Sequence, residues 1–146
     1  MGLRAYNYDK EMLLKDAGLV AASAAATVAS AAKVINVGNA RFEAVAVIDV
    51  TAVEIESNNE EYDILIQGSS VENFGSNIQT LAQLNLGATE VRQGGAIDSV
   101  AGRYELPFIN QQADVTYPYI RVYIVVAGTV ATGINFTAWA APFPGK

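Results

Sequence analysis

One segment of the chain alternates so regularly that it constrains the fold more than any other feature. Between Tyr117 and Gly128, every second residue forms an aliphatic row made of Ile120, Val122, Ile124 and Val126. The residues between them form a second row, made of Tyr119, Arg121, Tyr123 and Val125. Because successive side chains of a strand point to opposite faces, this pattern predicts a strand with one buried face. The second row is aromatic with one cation, which suits a half-exposed or intersubunit face better than open water.

Shorter segments with the same period recur along the chain between glycine-bearing turns. We predict a hairpin from Thr51–Ser57 and Tyr62–Gly68. We also predict a strand at Gly102–Phe108, whose proline fits an edge or a strand end better than a central strand. Thr80–Gly87 is a further strand candidate, and Glu90–Arg92 is a possible short strand. Roughly eight short strands without a long helix predict an all-β fold, an antiparallel β-sandwich of jelly-roll type.

The segment from Ala17 to Ala32 carries no charge and is rich in alanine. A secretion signal begins with basic residues, whereas the acidic residues Asp9, Glu11 and Asp16 precede this segment, so we do not expect one. Gly18 and the lack of a large apolar stripe argue against a helix. We therefore predict an extended N-terminal arm over residues 1–20, with a short helical turn at 9–15, and a single β-sandwich domain over residues 21–146.

A second uncharged segment, Val122 to Gly145, has the length of a membrane span. Its composition argues against one, because Thr129, Thr132 and Asn135 are polar and two glycines bracket a turn. This pattern predicts two strands joined as a hairpin and no membrane partner.

Composition excludes several kinds of chemistry. The 146 residues include no cysteine and no histidine, which removes disulfides, thiol nucleophiles, thiolate zinc sites and imidazole catalysis. Fifteen acidic against nine basic residues give a net charge of −6, which would repel a nucleic-acid backbone. Charged residues make up only 16% of the chain and apolar ones 51%, so the surface is short of charge and suited to subunit contacts.

The acidic residues offer two candidate sites, and we expect neither to be functional. One group lies around the first predicted hairpin, and its spacing matches no calcium loop; its members are Glu54, Glu56, Glu60, Glu61 and Asp63. We predict charged residues on the wet face of a hairpin and no metal site. Glu105 and Asp114 are candidates for a glycosidase pair, which would require a sugar cleft. We expect no catalytic residues, no enzyme activity and no cofactor.

Aromatic and cationic side chains offer a binding alternative. Tyr117, Tyr119, Tyr123 and Trp139 have rings of the kind that stack on sugars, although core packing and subunit contact are the favoured roles. Arg103 and Arg121 lie in predicted strands, where an ion pair within a sheet or between subunits accounts for them.

Four segments together resemble one family. "AAKVINVGNAR", "YDILIQGSS", "GRYELPFIN" and "YPYIRVYIVVAGTVATGINFTAW", within about Ala31 to Ala140, resemble the cement or decoration proteins on the heads of tailed bacteriophages. The resemblance implies a small sandwich subunit that assembles as dimers or trimers on the outside of an icosahedral shell and clamps adjacent major capsid subunits. The acidic, tyrosine-containing segment Met1–Asp16 has no clear counterpart in that family.

We therefore expect a structural capsid cement protein on the outer surface of the phage head in the virion. Its expected partners are the major capsid protein and itself, with a homotrimer favoured over a homodimer. The expected capsid contacts lie in the arm, at Tyr6, Tyr8, Leu13 and Leu14. The expected subunit-interface residues are Tyr119, Arg121, Tyr123 and Trp139. The alternatives are a carbohydrate-binding sandwich of a phage tail or surface assembly and, behind it, a glycosidase-like enzyme.

Overall fold

The structure, a computed structural model, describes residues 6–92 and 94–142, so the first five residues and the last four of the predicted arm and domain lie outside it. The regular elements of the described residues are a 3₁₀ turn at Lys10–Met12, capped by the Asp9 side chain, and strands joined by turns and loops. The short strands are β1 (Leu13–Lys15), β2 (Leu19–Val20), β3 (Ala24–Ala25), β4 (Thr27–Val28), β5 (Ala31–Ala32), β6 (Ile35–Asn36), β11 (Gln111–Gln112) and β12 (Val115–Thr116). The long strands are β7 (Glu43–Val53), β8 (Glu61–Ser69), β9 (Ile78–Gly87), β10 (Gly102–Ile109), β13 (Tyr119–Ala127) and β14 (Ile134–Ala141).

The strands form two antiparallel sheets that pack face to face, which confirms the predicted all-β sandwich. Sheet A has the order β1-β14-β7-β10, with β2 also paired to β14. Sheet B has the order β3-β13-β8-β9, with β6 also paired to β13. The remaining pairs, β4 with β5 and β11 with β12, are short separate ribbons.

The core lies between the inward rows of the two sheets. On β13 the inward row is the one that the alternation predicts, and Ile120, Val122 and Ile124 are fully buried. Sheet A contributes fully buried Ile48 and Phe136. Burying such a side chain stabilises the fold by roughly 1.5–3 kcal/mol relative to leaving it in water, so these rows are the main stabilising element.

Both predicted hairpins are wrong, because in each case the two strands belong to different sheets. β7 lies in sheet A and β8 in sheet B, and β13 lies in sheet B and β14 in sheet A. Alternation correctly indicates which face of each strand is buried. It does not show whether the next strand of the chain pairs beside it in the same sheet or lies in the facing sheet.

The crossing from β13 to β14 depends on two glycines. Gly128 and Gly133 have φ values of +94° and +90°, in the left-handed region that favours glycine. A Cβ atom at Gly128 would lie 2.1 Å from the carbonyl oxygen of Asn59. The part of the chain that the structure describes contains no helix long and apolar enough to cross a membrane.

The predicted arm over residues 1–20 is not confirmed. Leu13 and Lys15 pair with β14, as does β2, so this segment is part of sheet A. Leu14 is fully buried in the main core. The charged residues before the uncharged segment suggested an exposed arm. Leu13 and Leu14 lie among these charged residues, and the sandwich buries both of them.

Two further predictions concern the ends of the sheets. β10 pairs with β7 alone and contains Pro107, which confirms the predicted edge strand. The predicted strand at Glu90–Arg92 is wrong, because the backbone N–H groups of Val91 and Arg92 donate to the carbonyl of Ala88 in a turn.

Substitution of Leu14 tests whether this segment belongs to the core. Leu14→Ala is expected to lower the free energy of unfolding by about 2–5 kcal/mol, since it leaves a cavity at a fully buried site. Leu19→Ala is the matched control, because Leu19 is 58% exposed in β2 and its loss should change the free energy by less than about 0.5 kcal/mol. Urea unfolding followed by tryptophan fluorescence measures both. Equal effects of the two variants would place Leu14 outside the core.

Candidate functional site

The outer face of sheet B brings together three of the four predicted subunit-interface residues. Tyr119, Arg121 and Tyr123 alternate along β13 with its buried inward row, and all three are half-buried. Opposite them on β8 lie Ser69, Gln67 and Leu65, respectively. We call this surface the tyrosine face, defined as Tyr119, Arg121 and Tyr123 together with Gln67 and Phe74, which contact Arg121.

Arg121 occupies the middle of the tyrosine face in a fixed position. Its Nε donates to Gln67 Oε1 at 2.9 Å. Its guanidinium carbon lies 4.3 Å from the ring centroid of Phe74 and 5.2 Å from that of Tyr123. Burial lowers the pKa of Arg121 from its ordinary value, while Tyr123 raises it. The result is a cation that contacts two rings and a side-chain amide, and a guanidinium group can also bind a flat or carboxylate-bearing partner.

Phe74 is a part of this site that the sequence analysis missed. It lies in the loop from Ser70 to Asn77 between β8 and β9, where no periodicity signals a contact with a distant strand. Its side chain is 5% exposed and its backbone φ is +52°, which is rare for a bulky residue. Ser69 holds the loop, because its hydroxyl donates to the carbonyl of Ser76 and accepts from the N–H of Val71.

The surface next to the tyrosine face is mainly polar, and its charges lie at the end where β8 begins. The outward neighbours on β9 are the polar, uncharged side chains Thr80, Gln83 and Asn85, together with the exposed apolar Ile78 opposite Ser69. Asp63 and Glu61 are the acidic residues of this face, opposite Val125 and Ala127, and Arg92 lines the same depression as both of them. Burial, and next the charge of Glu61, raise the pKa of Asp63 above its ordinary value. A face with few charges loses little hydration energy when a partner covers it.

Trp139, the fourth predicted interface residue, is on the outer face of the other sheet and is covered. It belongs to a second apolar cluster with Leu13, Val45, Val47 and Ala141, against which Tyr6 and Val28 pack. Tyr8 meets its ring edge-on at 5.5 Å, and Arg103 lies 5.2 Å from its centroid. Trp139 is only 6% exposed, so its ring is not accessible for stacking on a sugar.

The predicted capsid-contact residues do not form one surface. Leu13 and Leu14 are 7% and 0% exposed and belong to the two apolar clusters, so neither is free to anchor a partner. Tyr8 is 58% exposed, and with Tyr6 it covers Trp139. The segment that begins at Tyr6 therefore acts in this structure as a cover for sheet A.

Lys15 lies beside a groove of about 480 Å³ that is lined mainly by alanines of the segment 17–30. Its Nζ donates to the carbonyl oxygens of Asp16, Gly18 and Phe136 at 2.8–2.9 Å. Burial lowers the pKa of Lys15 to about 8 against the opposing effect of Asp16. The polar side chains Asp16, Thr27 and Ser30 also line the groove. The ammonium group of Lys15 holds backbone carbonyls and the Asp16 carboxylate accepts from the N–H of Ala29, so both charged groups of the groove already bind the chain's own backbone.

The acidic group is dispersed, and two of its members stabilise turns. Glu60 was predicted on a wet face but is fully buried, and its carboxylate accepts from the N–H groups of Ser57 and Asn59. Glu54 accepts from the N–H groups of three residues of the β13–β14 crossing, at 2.8–2.9 Å; these are Ala131, Thr132 and Gly133. Within residues 6–92 and 94–142, no three acidic side chains converge on a possible metal position.

The other predicted roles can be placed in the same way. Arg103 forms the predicted ion pair within a sheet, with its Nε 2.7 Å from an oxygen of Asp49. For Arg121 the structure shows a hydrogen bond from its Nε to the side-chain oxygen of Gln67 in place of the predicted ion pair. Glu105 is exposed in the middle of β10, and Asp114 is exposed in the turn between β11 and β12. Neither of these two carboxylates lines the groove beside Lys15.

Comparisons with known proteins do not assign this chain. No protein-family model matches the sequence, and no curated protein sequence matches it. The resemblance to phage cement proteins therefore rests on the four segments quoted above.

The Glu54 contact predicts a dependence of stability on pH. The N–H of Gly133, followed by those of Thr132 and Ala131, lowers the pKa of Glu54 from its ordinary value of 4.5 in the folded state. A group with a lowered folded pKa contributes stability above its unfolded pKa, and this contribution is lost as pH falls through the folded value. Wild type should therefore be more stable than Glu54→Gln at pH 6, and the difference should shrink toward pH 3.

Urea unfolding at several pH values measures this difference. Glu56→Gln is the control, because it removes the same charge from an exposed side chain two residues away and should change the free energy at pH 6 by less than about 0.5 kcal/mol. If Glu54→Gln behaved like Glu56→Gln at pH 6, the carboxylate would not be holding the crossing.

Proposed function

We propose that this chain is a structural cement protein that binds the outer surface of a phage head and stabilises the joints between major capsid subunits. The observation that carries the proposal is the tyrosine face, where Arg121 is fixed between Phe74 and Tyr123 on a charge-poor sheet surface. This arrangement suits binding of a protein surface and contains no group poised for bond making.

The composition of the tyrosine face supports a protein partner. Tyrosine and arginine are among the residues that contribute most to protein interfaces, usually from the centre of the contact. Because Arg121 is already held by Gln67 and two rings, little side-chain freedom remains to be lost on binding. The strained backbone of Phe74 supports the same reading, since such strain is retained where a side chain must be placed for function.

The strand pairing supports the finer assignment to a jelly roll. The chain is doubled over, so that β8 pairs with β9, β7 with β10, β3 with β13 and β1 with β14. Jelly rolls of two four-stranded sheets are common in viral shell proteins and in lectins. The covered ring of Trp139 disfavours the lectin-like alternative, because it removes the strongest stacking group from the surface.

The burial of Leu13 and Leu14 moves the proposed capsid contact from the arm to the tyrosine face. A partner that covers this face gains from the aromatic rings and has few charges to desolvate. Each occupied joint adds contacts that must break before the shell opens, so occupancy stabilises the head in proportion to the binding free energy. The net charge of −6 is compatible with a position outside the shell, away from packed DNA.

Binding to heads tests the proposal. The assay uses mature heads of the encoding phage, assembled without this gene, and measures occupancy by co-sedimentation with the purified full chain. Wild type should bind in a fixed, saturable ratio to the major capsid protein. The double variant Arg121→Ala/Tyr123→Ala should bind at least about tenfold more weakly, which is the effect expected for the loss of interface hot spots.

A matched control separates the tyrosine face from the rest of the surface. Gln112→Ala alters an exposed residue of the β11–β12 ribbon and should bind like wild type. Absence of saturable binding by wild type would rule out the cement role. Full binding by the double variant would move the contact to another surface, with Tyr6 and Tyr8 the next to be tested.

A further inference from the structure

The outer edge of sheet B is uncharged, and it is open except at Gly87, whose N–H donates to Ser99 Oγ and whose carbonyl accepts from the N–H of Ser99. β9 is the last strand of the sheet and pairs with β8 on one side, with no strand of the described residues on its other side. Its ten residues, Ile78–Gly87, contain neither a charged residue nor a proline. A long edge strand of this kind presents free backbone N–H and C=O groups to another strand.

The other edges are protected. β10, the edge of sheet A nearest in sequence, contains Pro107 and the ion-paired Arg103. The far side of β13 is covered in part by β3 and β6, and that of β14 by β1 and β2. Because proteins usually block exposed edges with charge, proline or a covering segment, the unblocked edge of β9 requires a reason.

We propose that the segment Ala82–Leu86 of β9 pairs with the same segment of a second copy, antiparallel and about a two-fold axis. A β-bulge at Leu81 interrupts the pairing with β8, since Ile66 lies opposite Ala82 and Gln67 opposite Thr80. Beyond the bulge, Ala82 to Gly87 pair regularly with β8, so this half of the strand is straight enough to accept another strand.

The side chains of this segment are complementary to themselves. With Leu84 placed opposite Leu84 of the second copy, Gln83 lies opposite Asn85, and Ala82 lies opposite Leu86. Within one chain Gln83 Nε2 already donates to Asn85 Oδ1 at 2.6 Å. Amide groups both donate and accept, so identical strands can pair through them, whereas identical charged strands would repel. The apolar residues Leu84 and Ala82 pack toward the core, so pairing also extends the core across the axis.

The partner that fits this edge is therefore a second copy of the chain. The net charge of −6 opposes association of two copies at most surfaces, whereas the residues of this strand carry no charge. The acidic Glu61 and Asp63 beside Gln83 and Asn85 are accompanied by the cation of Arg92. A two-fold axis also pairs one strand with itself, which needs no second complementary surface.

The dimer would carry the two tyrosine faces on one side of a continuous sheet. β9 lies two strands from β13 in sheet B, so four strands would lie between the two rows of Tyr119, Arg121 and Tyr123, and both rows would face the same way. This arrangement selects the dimer in place of the trimer that the sequence favoured. The inference does not depend on the capsid role, because self-association is measured without heads.

Sedimentation equilibrium of the full chain tests the dimer over a wide range of concentrations. Wild type should approach 30.8 kDa, twice the 15.4 kDa of one chain. Gln83→Lys/Asn85→Lys should weaken the dimer by at least about tenfold, because lysines would face lysines across the axis. The control Gln112→Lys adds a charge on the β11–β12 ribbon and should dimerise like wild type.

A charge-reversal experiment distinguishes a variant that cannot pair from a variant that cannot fold. Gln83→Glu/Asn85→Glu should also be a monomer by itself, and an equimolar mixture with the lysine variant at low ionic strength should recover the dimer mass. A wild-type mass of one chain at the highest concentration, a trimer, or a lysine variant that keeps the dimer mass would each overturn the proposal.

Discussion

The structure depends on the burial of two facing aliphatic rows, one from each sheet. Ile120, Val122 and Ile124 of sheet B meet the row of sheet A that contains Ile48 and Phe136, and all five are fully buried. Because these rows fill the core, the alternating side chains on the outward face of each strand are not needed for core packing. Stability therefore comes from the inward residues, and the capacity to contact other molecules comes from the outward ones.

The outer faces of sheet A and sheet B are covered to different extents by the chain itself. On sheet A the segment from Tyr6 folds over Trp139 and its aliphatic neighbours, so this face is closed by the chain itself. On sheet B the loop 70–77 lies against Arg121 and Ser69, and the outward residues Gln67 and Ser69 are buried. Tyr119, Arg121 and Tyr123 remain half-buried on this face, with the cation of Arg121 at its centre. Its charge-poor surface continues along Thr80, Gln83 and Asn85 to the free edge of β9. We propose that the face contacts the capsid and that the edge joins two copies.

The sequence predicts individual strands better than it predicts how they are joined. The row of Ile120, Val122 and Ile124 is correctly placed in the core, because a period of two depends only on local geometry. The pairing of Thr51–Ser57 with Tyr62–Gly68 is wrong, because the choice between a hairpin and a crossing depends on contacts distant in sequence. One such contact is the Tyr62 hydroxyl, which donates to the carbonyl of Glu54 at 2.9 Å in the crossing.

The same limit applies to the candidate site. Tyr119, Arg121 and Tyr123 could be grouped from sequence because they share one strand face. Trp139 could not be separated from them, since nothing local shows that β14 lies in the other sheet. Phe74 and Gln67 became visible only when the fold placed a loop and a neighbouring strand against Arg121.

The central claim is that the outer face of sheet B meets the capsid. The most direct measurement is a cryo-electron microscopy reconstruction of decorated heads at a resolution that shows strand direction and large side chains. The account predicts pairs of copies related by a two-fold axis, with Arg121 and Tyr123 in contact with the major capsid protein. Density in which sheet B faces solvent while another surface contacts the shell would contradict it.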